Sequence, residues 1–296
     1  MKRKALFIIN PVSGGKKKDG VPELIKKYLD HSLFDYETVF STGVKHARDV
    51  AREQAVNYDI IVAVGGDGTV NEVASAIAGT DTILGVIPYG SGNGLSRFLS
   101  VPMDAEGAIK GINAGRVVTI DAGKMNGKWF FNMAGMGFDA HISHVFAQGS
   151  KKRGFISYLK SSLQEVANYK AQTYQLNIDG VQYEREAFML SMANSSQYGN
   201  NAHVSPTASV QDGLLDVCVI KPFPLYRFPE MGIRMFTKTA DSSKFVEIIK
   251  GKHITITRSQ PGPIHLDGEP RDADLELVVD VIPGALKIIV GDNYKD

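Results

Sequence analysis

The stretch VAVGGDGTVNEV, residues 62–73, carries the change of pattern on which the fold turns. An apolar run from Ile60 to Val64 stops at Gly65 and Gly66; Asp67, Gly68 and Thr69 follow, and a helical pattern then starts. A buried strand that turns through glycines into a helix is the repeating unit of a parallel sheet covered by helices. Working outward, the same alternation recurs over the first 120 or so residues. Strand-like runs stand at 5–10, 36–40, 59–64 and 82–87, and helical patterns at 21–30, 46–56 and 69–79. Ligands of such sheets bind at the carboxyl ends of the strands. Asn10, Thr42, Gly65 with Gly66, and Gly90 all fall there.

The chemistry of these strand ends suits phosphate. Gly65, Gly66 and Gly68 let the backbone turn sharply and approach a ligand. The loop feeds a helix whose first amides and dipole favour an anion. Thr69 with Glu72 three residues on fits the S/T-x-x-E capping box, which predicts Thr69 as the helix cap. Asp67 places a carboxylate where phosphates would sit, which suits a bridging divalent cation or a proton-transfer role. The alternative is a tight turn with a satisfied aspartate. A second loop, PYGSGNGLSR (88–97), alternates Gly90, Gly92 and Gly94 with Ser91 and Asn93. Its amides and Ser91 suit a phosphate that Arg97 would neutralise. A third, NPVSGGKKK (10–18), brings Ser13 and the cluster Lys16 to Lys18, which reads either as a solvated basic loop or as a phosphate or membrane contact. Neither the dinucleotide fingerprint G-x-G-x-x-G nor a Gly-Lys-Ser/Thr P-loop is present.

After Val117 short strand-like runs dominate, separated by Asn126-Gly127, Asp179-Gly180, Asp212-Gly213, Asp267-Gly268 and Pro283-Gly284. This predicts an α/β domain over 1–120, to which residues 290–296 return, and an antiparallel β-sandwich over 121–289. Helical spacing marks 155–170 and 228–236 inside the second part. A chain of 296 residues, 43% of them hydrophobic, has room for two cores. The formal net charge of +1 gives no field directed at nucleic acid. The one cysteine, Cys218, sits in an apolar run and reads as a core residue in a reducing compartment. The first apolar run is short and ends at Asn10-Pro11, unlike a signal peptide, and no run approaches a membrane span. The expectation is a cytoplasmic protein.

At this point a resemblance enters. Asn10-Pro-x-Ser-Gly, Gly65-Gly-Asp-Gly-Thr-x-Asn-Glu-Val and Pro88-x-Gly-Ser-Gly-Asn, in this order and spacing, resemble the diacylglycerol kinase catalytic domain family, which includes diacylglycerol, sphingosine and ceramide kinases and bacterial soluble lipid kinases. GMGFDA (135–140), SPTASVQDGLLDV (205–217) and HLDGEP (265–270) match its later motifs. The resemblance implies a two-domain ATP-dependent lipid kinase with the nucleotide in the cleft between domains and Mg²⁺ assisting. It implies that Asn10, Ser13, Thr42, Gly65, Gly66, Asp67, Gly68, Thr69, Asn71, Glu72, Gly90, Ser91, Gly92 and Asn93 line the nucleotide site. Glu269, with Asp267 beside it in the turn as a further catalytic candidate, matches the acid or base of bacterial members, whereas sphingosine kinases place that role at Asp67; the assignments stay open. Ser209, Asp212 and Leu214 match a structural Mg²⁺ site, and Asp139 a lipid-headgroup contact.

One departure stands out. Soluble bacterial diacylglycerol kinases read Gly-Thr-x-Asn-Asp in the second loop, whereas here Gly94 follows Asn93, closer to sphingosine kinases. Diacylglycerol, a sphingoid base or a related lipid are the acceptors in view, with transient contact at a membrane surface and a possible homodimer. An NAD-kinase-like enzyme shares the Gly-Gly-Asp-Gly-Thr loop, and a non-enzymatic nucleotide- or lipid-binding regulator is the third reading. Without the resemblance, Glu269 reads as a solvated acid in a hairpin turn. His141 and His144 lack a third ligand and read as surface or cleft histidines.

Overall fold

The computed structural model describes residues 2–13, 18–149, 165–166 and 169–295. The chain divides into two compact units, one of Met1–Ile120 with Gly284–Asp296, the other of Asp121–Pro283.

The first unit runs β1 (Arg3–Ile9), α1 (Val21–Tyr28), β2 (Phe34–Phe40), α2 (His46–Gln54), β3 (Ile60–Gly65), α3 (Asp67–Ile77), β4 (Ile83–Pro88), α4 (Gly94–Phe98) and α5 (Ala105–Ala114). Its strands pair in parallel in the order β2-β1-β3-β4. Every residue of β3 is buried, as is β1 from Ala5 to Ile9. Strands in a parallel sheet lie between two layers of helix, so continuous apolar runs are what they need. Helix α5 was not anticipated. Asp104 caps it by accepting from Gly107 N at 2.8 Å, and Gly115, at φ +63°, ends it. The sheet gains a further parallel neighbour from the end of the last strand (Glu276–Ile289), where Ile288 aligns with Leu84 beside β4. Beyond it, Gly291 N donates to Leu99 O, and the Arg116 guanidinium donates to the carbonyls of Gly291, Asp292 and Tyr294.

The second unit begins inside β5 (Val117–Met125) and continues β6 (Lys128–Phe130), β7 (Met133–Gly137), α6 (Phe138–Gly149), β8 (Gln172–Ile178), β9 (Val181–Ala187), β10 (Met189–Ala193), β11 (Gln197–Gly199), β12 (Ala202–His203), β13 (Leu215–Ile220), α7 (Phe228–Phe236), β14 (Val246–Gly251), β15 (His253–Arg258), β16 (Gly262–Leu266), β17 (Glu269–Ala273) and β18 (Glu276–Ile289). One antiparallel sheet has the order β14-β13-β10-β7-β16-β17; the other joins β15 to β18 on one side and to β8 and β9 on the other. Their shared core includes Phe130, Met136, Tyr174, Leu190, Val217 and Ile256. The second unit is the antiparallel sandwich expected from the sequence, and the first is the expected α/β unit with a mostly parallel sheet.

Three of the five turn signals form tight hairpins with successive positive φ angles: Asn126-Gly127, Asp179-Gly180 and Asp267-Gly268. Asp212-Gly213 instead closes a loop that leads into β13. At Pro283-Gly284 the expected turn is absent, because β18 runs straight through it with Gly284 at φ +62°. A single left-handed residue kinks a strand without ending it. Cys218 is fully buried, and burial pushes its thiol well up, so it behaves as an inert core residue. Helix 228–236 is present as α7, while the pattern at 155–170 lies mostly outside the described residues.

Candidate active site

In the first unit the strand ends carry two glycine loops packed backbone against backbone. A Cβ on Gly66 would sit 3.0 Å from Gly90 Cα, and one on Gly90 would sit 2.7 Å from Gly66 Cα and 2.5 Å from Asn93 Oδ1. A Cβ on Gly65 would strike Thr69 Oγ1 at 2.4 Å. The glycines are therefore needed for contact between the loops as well as for the turn.

Asp67 ties the loops together. Its carboxylate accepts from Asn93 N at 2.9 Å and Gly94 N at 3.0 Å. Asn93 closes its own loop, accepting from Gly90 N at 3.0 Å and donating Nδ2 to Gly90 O at 2.8 Å. It does so in the left-handed region at φ +51°, which asparagine tolerates. Arg97, read as a phosphate neutraliser, spends its Nε on Gly92 O at 3.1 Å and braces the loop from below.

Two expectations are corrected here. Thr69 does not cap α3. The helix starts three residues earlier than that cap implies, at Asp67 with Gly66 as its cap, and Thr69 Oγ1 accepts from Asn10 Nδ2 at 3.0 Å. Glu72 is likewise drawn away from the capping box, accepting from Lys45 N at 3.1 Å. The flexible glycines let the helix begin before its best capping residue, and Thr69 ties its own loop to Asn10 of the third loop instead. Lys18 is not part of a solvated basic loop: it is buried, donates to Ser13 O and lies 5.3 Å from the Tyr89 ring centroid. Lys16 and Lys17 lie outside the described residues. Asn71 accepts from Ser75 Oγ at 3.3 Å; Thr42 and Ser91 are exposed.

In the second unit Asp267 is buried, and its carboxylate accepts from the backbone amides of Phe131, Asn132 and Met133 at 2.8–3.2 Å. It anchors the entry to β7. Two residues on, Glu269 is exposed at the start of β17, and its side chain carries no hydrogen bond among the described residues. Asp139, at the start of α6, is buried and accepts from His265 Nε2, Tyr198 OH and Ala140 N, each at 2.8 Å. Tyr198 OH also pairs with Ser191 Oγ. Burial, and then the charge of Asp139, push the Tyr198 phenol far up, so it stays protonated and able to donate. Gly268 N donates to His265 Nδ1 at 3.4 Å, which leaves the imidazole proton on Nε2 facing Asp139. A Cβ on Gly135 would strike both Asp139 Oδ2 and His265 Nε2 at 2.4 Å. His265 and Tyr198 were missed from sequence. The signal available was His265 itself, a polar residue at an inward position of a strand that ends in Asp267-Gly268.

The loop holding Ser209, Asp212 and Leu214 gives one carboxylate, and that carboxylate is already engaged. Asp212 accepts from Leu214 N at 3.0 Å and from Lys250 Nζ at 2.8 Å. Burial works against the Lys250 charge, but Asp212 and Asp216 outweigh it and raise the ammonium pKa. Among the described residues no three carboxylate, histidine or cysteine side chains gather in a metal-binding cluster.

Family models match both parts of the chain: the diacylglycerol kinase catalytic domain over residues 4–125, and the YegS C-terminal NAD kinase beta sandwich-like domain over residues 132–290. A probable lipid kinase YegS-like protein of Cronobacter sakazakii is 32% identical over 249 residues, 81% of each chain. The chain belongs to the diacylglycerol kinase catalytic domain family. A Bacillus subtilis diacylglycerol kinase is 26% identical over 283 residues and covers 90% of each chain. A crystal structure from Bacillus anthracis, assigned as a diacylglycerol kinase, superposes with a TM-score of 0.79 at 26% identity, covering 98% of each chain. As a member of this lipid kinase family the chain is a kinase. No helix among its described residues is long and apolar enough to cross a membrane.

Proposed function

We propose that this chain transfers the γ-phosphoryl group of ATP to a hydroxyl of a membrane lipid. The observation that carries the reading is the backbone contact between Gly66 and Gly90, locked by Asp67 onto Asn93 and Gly94. That contact leaves no room for side chains and brings backbone amides from two strand ends to one rim. The first amides of a helix have no intrahelical partner, so those of Gly68 and Thr69 at the start of α3 suit phosphate oxygens, with Ser91 and Gly92 on the second loop. These residues fit the triphosphate. Asn10, Thr42, Asn71 and Glu72 would orient the rest of the nucleotide.

Phosphoryl transfer depends mostly on positioning and charge neutralisation. Bound Mg²⁺ would neutralise the phosphate charge. The Ser209, Asp212 and Leu214 loop is the candidate for a separate, structural Mg²⁺, which would compete there with Lys250. Of the two acids proposed for proton transfer, the geometry favours Glu269. Asp67 has both carboxylate oxygens on backbone amides, which suits a positioning residue, whereas Glu269 is exposed and available. In the step, Glu269 takes the proton of the lipid hydroxyl, the hydroxyl oxygen bonds to the γ-phosphorus, and the bond to the β,γ-bridging oxygen breaks to release ADP. Asp139 would meet the polar head of the lipid. An apolar cavity of about 140 Å³, lined by Val166, Tyr169, Ala171, Phe188, Pro222, Phe223 and Leu225, would take part of its chain.

The test is a radiolabelled-ATP assay with magnesium against diacylglycerol, sphingoid bases, ceramide and NAD. Label on one or more lipids is the expected result, and label confined to sphingoid bases would account for Gly94 after Asn93. Label on NAD alone would make this a soluble-substrate kinase, and nucleotide binding without transfer to any acceptor would make it a regulator.

A further inference from the structure

Eleven large hydrophobic residues stand exposed among the described residues, and four of them fall within residues 225–236: Leu225 at 51%, Tyr226 at 77%, Ile233 at 63% and Phe236 at 46%. The other seven are spread over the rest of the chain, and scattered exposure of that kind needs no explanation. The four belong to one feature. Leu225–Arg227 make a single tight turn that leads directly into α7. Tyr226, exposed Pro229, Ile233 and Phe236 follow at intervals of three, four and three, which places them on one stripe. On another face of α7, Met231 is buried and packs with Met133 and Ile220. Packing within the fold explains the inner face and leaves Tyr226, Pro229 and Ile233 on the outer one unaccounted for.

The charge around the stripe is one-sided. Residues 221–244 carry five basic side chains and two acidic ones. Glu230 is shared by Arg227 at 2.7 Å and Arg234 at 3.0 Å. Lys238 and Lys244 are exposed and have no carboxylate partner among the described residues.

We infer that the turn at Leu225–Arg227 and the outer face of α7 dock onto an anionic lipid bilayer. An exposed apolar stripe flanked by cations matches the membrane interface, where side chains enter the acyl boundary and lysines meet anionic headgroups. Leu225 adds continuity: it stands on the exposed face and also lines the cavity shared by Tyr169, Phe188 and Phe223. Apolar surface is therefore continuous from the docking face to this cavity within the second unit. The inference rests on the lipid-kinase reading, since a lipid acceptor has to be taken from a bilayer.

Flotation of the full-length chain with vesicles, without nucleotide, tests it. Vesicles of phosphatidylcholine alone are compared with vesicles that also contain phosphatidylserine. The chain is expected to float with the anionic vesicles. The double variant Tyr226→Ser, Ile233→Ser removes two exposed apolar side chains and should weaken that partition by about tenfold or more. Lys238→Glu with Lys244→Glu should abolish the preference for phosphatidylserine. Phosphorylation of lipid in vesicles should fall with partition in both variants, while phosphorylation of a short-chain, water-soluble lipid stays at the parental rate. A parental chain that does not float, or a Tyr226→Ser, Ile233→Ser variant that floats like the parent, overturns the inference. A dimer in light scattering that this variant splits also overturns it and assigns the face to a second copy of the chain. Normal flotation with no phosphate transfer to either lipid form would sink the kinase reading and leave the docking face standing.

Discussion

Asp67 in the first unit and Asp267 in the second each stand before a glycine in a turn, and both read from sequence as candidate catalytic acids. The structure gives them the same task in different settings. Asp67 holds the amides of Asn93 and Gly94 and joins two glycine loops. Asp267 holds the amides of Phe131, Asn132 and Met133 and anchors a strand from another part of the sandwich. The first clamp shapes a rim suited to phosphate; the second is buried among core strands. An acid in a glycine turn is recruited first by unpaired backbone amides, and the one left over, Glu269, is the one we propose for proton transfer. The difference between the clamps lies in what each loop does afterwards.

The largest effect expected concerns the acid outside both clamps. Glu269→Gln should lower lipid-kinase kcat by roughly 10²–10⁴-fold with an unchanged melting temperature, measured on purified protein with saturating ATP. Asp67→Asn should act mainly on nucleotide binding and raise the KM for ATP about tenfold or more. If Asp67→Asn leaves that KM unchanged and removes kcat alone, Asp67 is the base and the comparison fails.

Next in size, Asp267→Asn should cost about 2–4 kcal/mol of stability by urea denaturation, because an amide replaces one of the acceptor oxygens facing three buried N–H groups. Its specific activity, corrected for folded fraction, should stay near parental. Full stability with lost turnover would move Asp267 into the chemistry.

Gly90→Ala should cost about 1–3 kcal/mol, since the new methyl must push Gly66 and Asn93 aside. Nucleotide affinity by calorimetry should fall with it, and an alanine variant that binds ATP normally would show that the loops need not touch.

The smallest effect lies far from either clamp. The Arg185 hydrogen bond, helped by Lys221, lowers the Glu247 pKa from an ordinary 4.5 to about 2, against the opposing effect of partial burial. A depressed carboxylate contributes stability that is complete above its unfolded value and lost as pH falls toward the folded one. Unfolding free energies of the parent and of Glu247→Gln from urea titration should therefore differ by about 1 kcal/mol near neutrality and converge between pH 4.5 and 2. A constant difference across that window would refute the pairing.

The sequence was most informative where one physical demand dominates. The buried parallel strands β1 and β3 are continuous apolar runs, and three Asn-Gly or Asp-Gly turns take the positive φ angles their residues favour. It was least informative where short or mixed signals compete. Helix α4 has five residues, too few to show a period. In α5 the interior glycines Gly107 and Gly111 obscure an otherwise regular pattern of Ala108, Ile109 and Ile112. In the candidate site, the glycines and Asp67 were legible as a cluster, but their contacts were not. Nothing in the local sequence says that Asp67 reaches Asn93, or that Asp139, His265 and Tyr198 meet, because those bonds join segments far apart in the chain.

The last strand carries a consequence for biosynthesis. Ile288 completes the sheet of the first unit, and Arg116 is held by the carbonyls of Gly291, Asp292 and Tyr294. On a ribosome, the α/β half emerges first yet stays without its closing strand until the entire sandwich has been translated, so a nascent chain carrying only that half would depend on chaperones to stay out of aggregates.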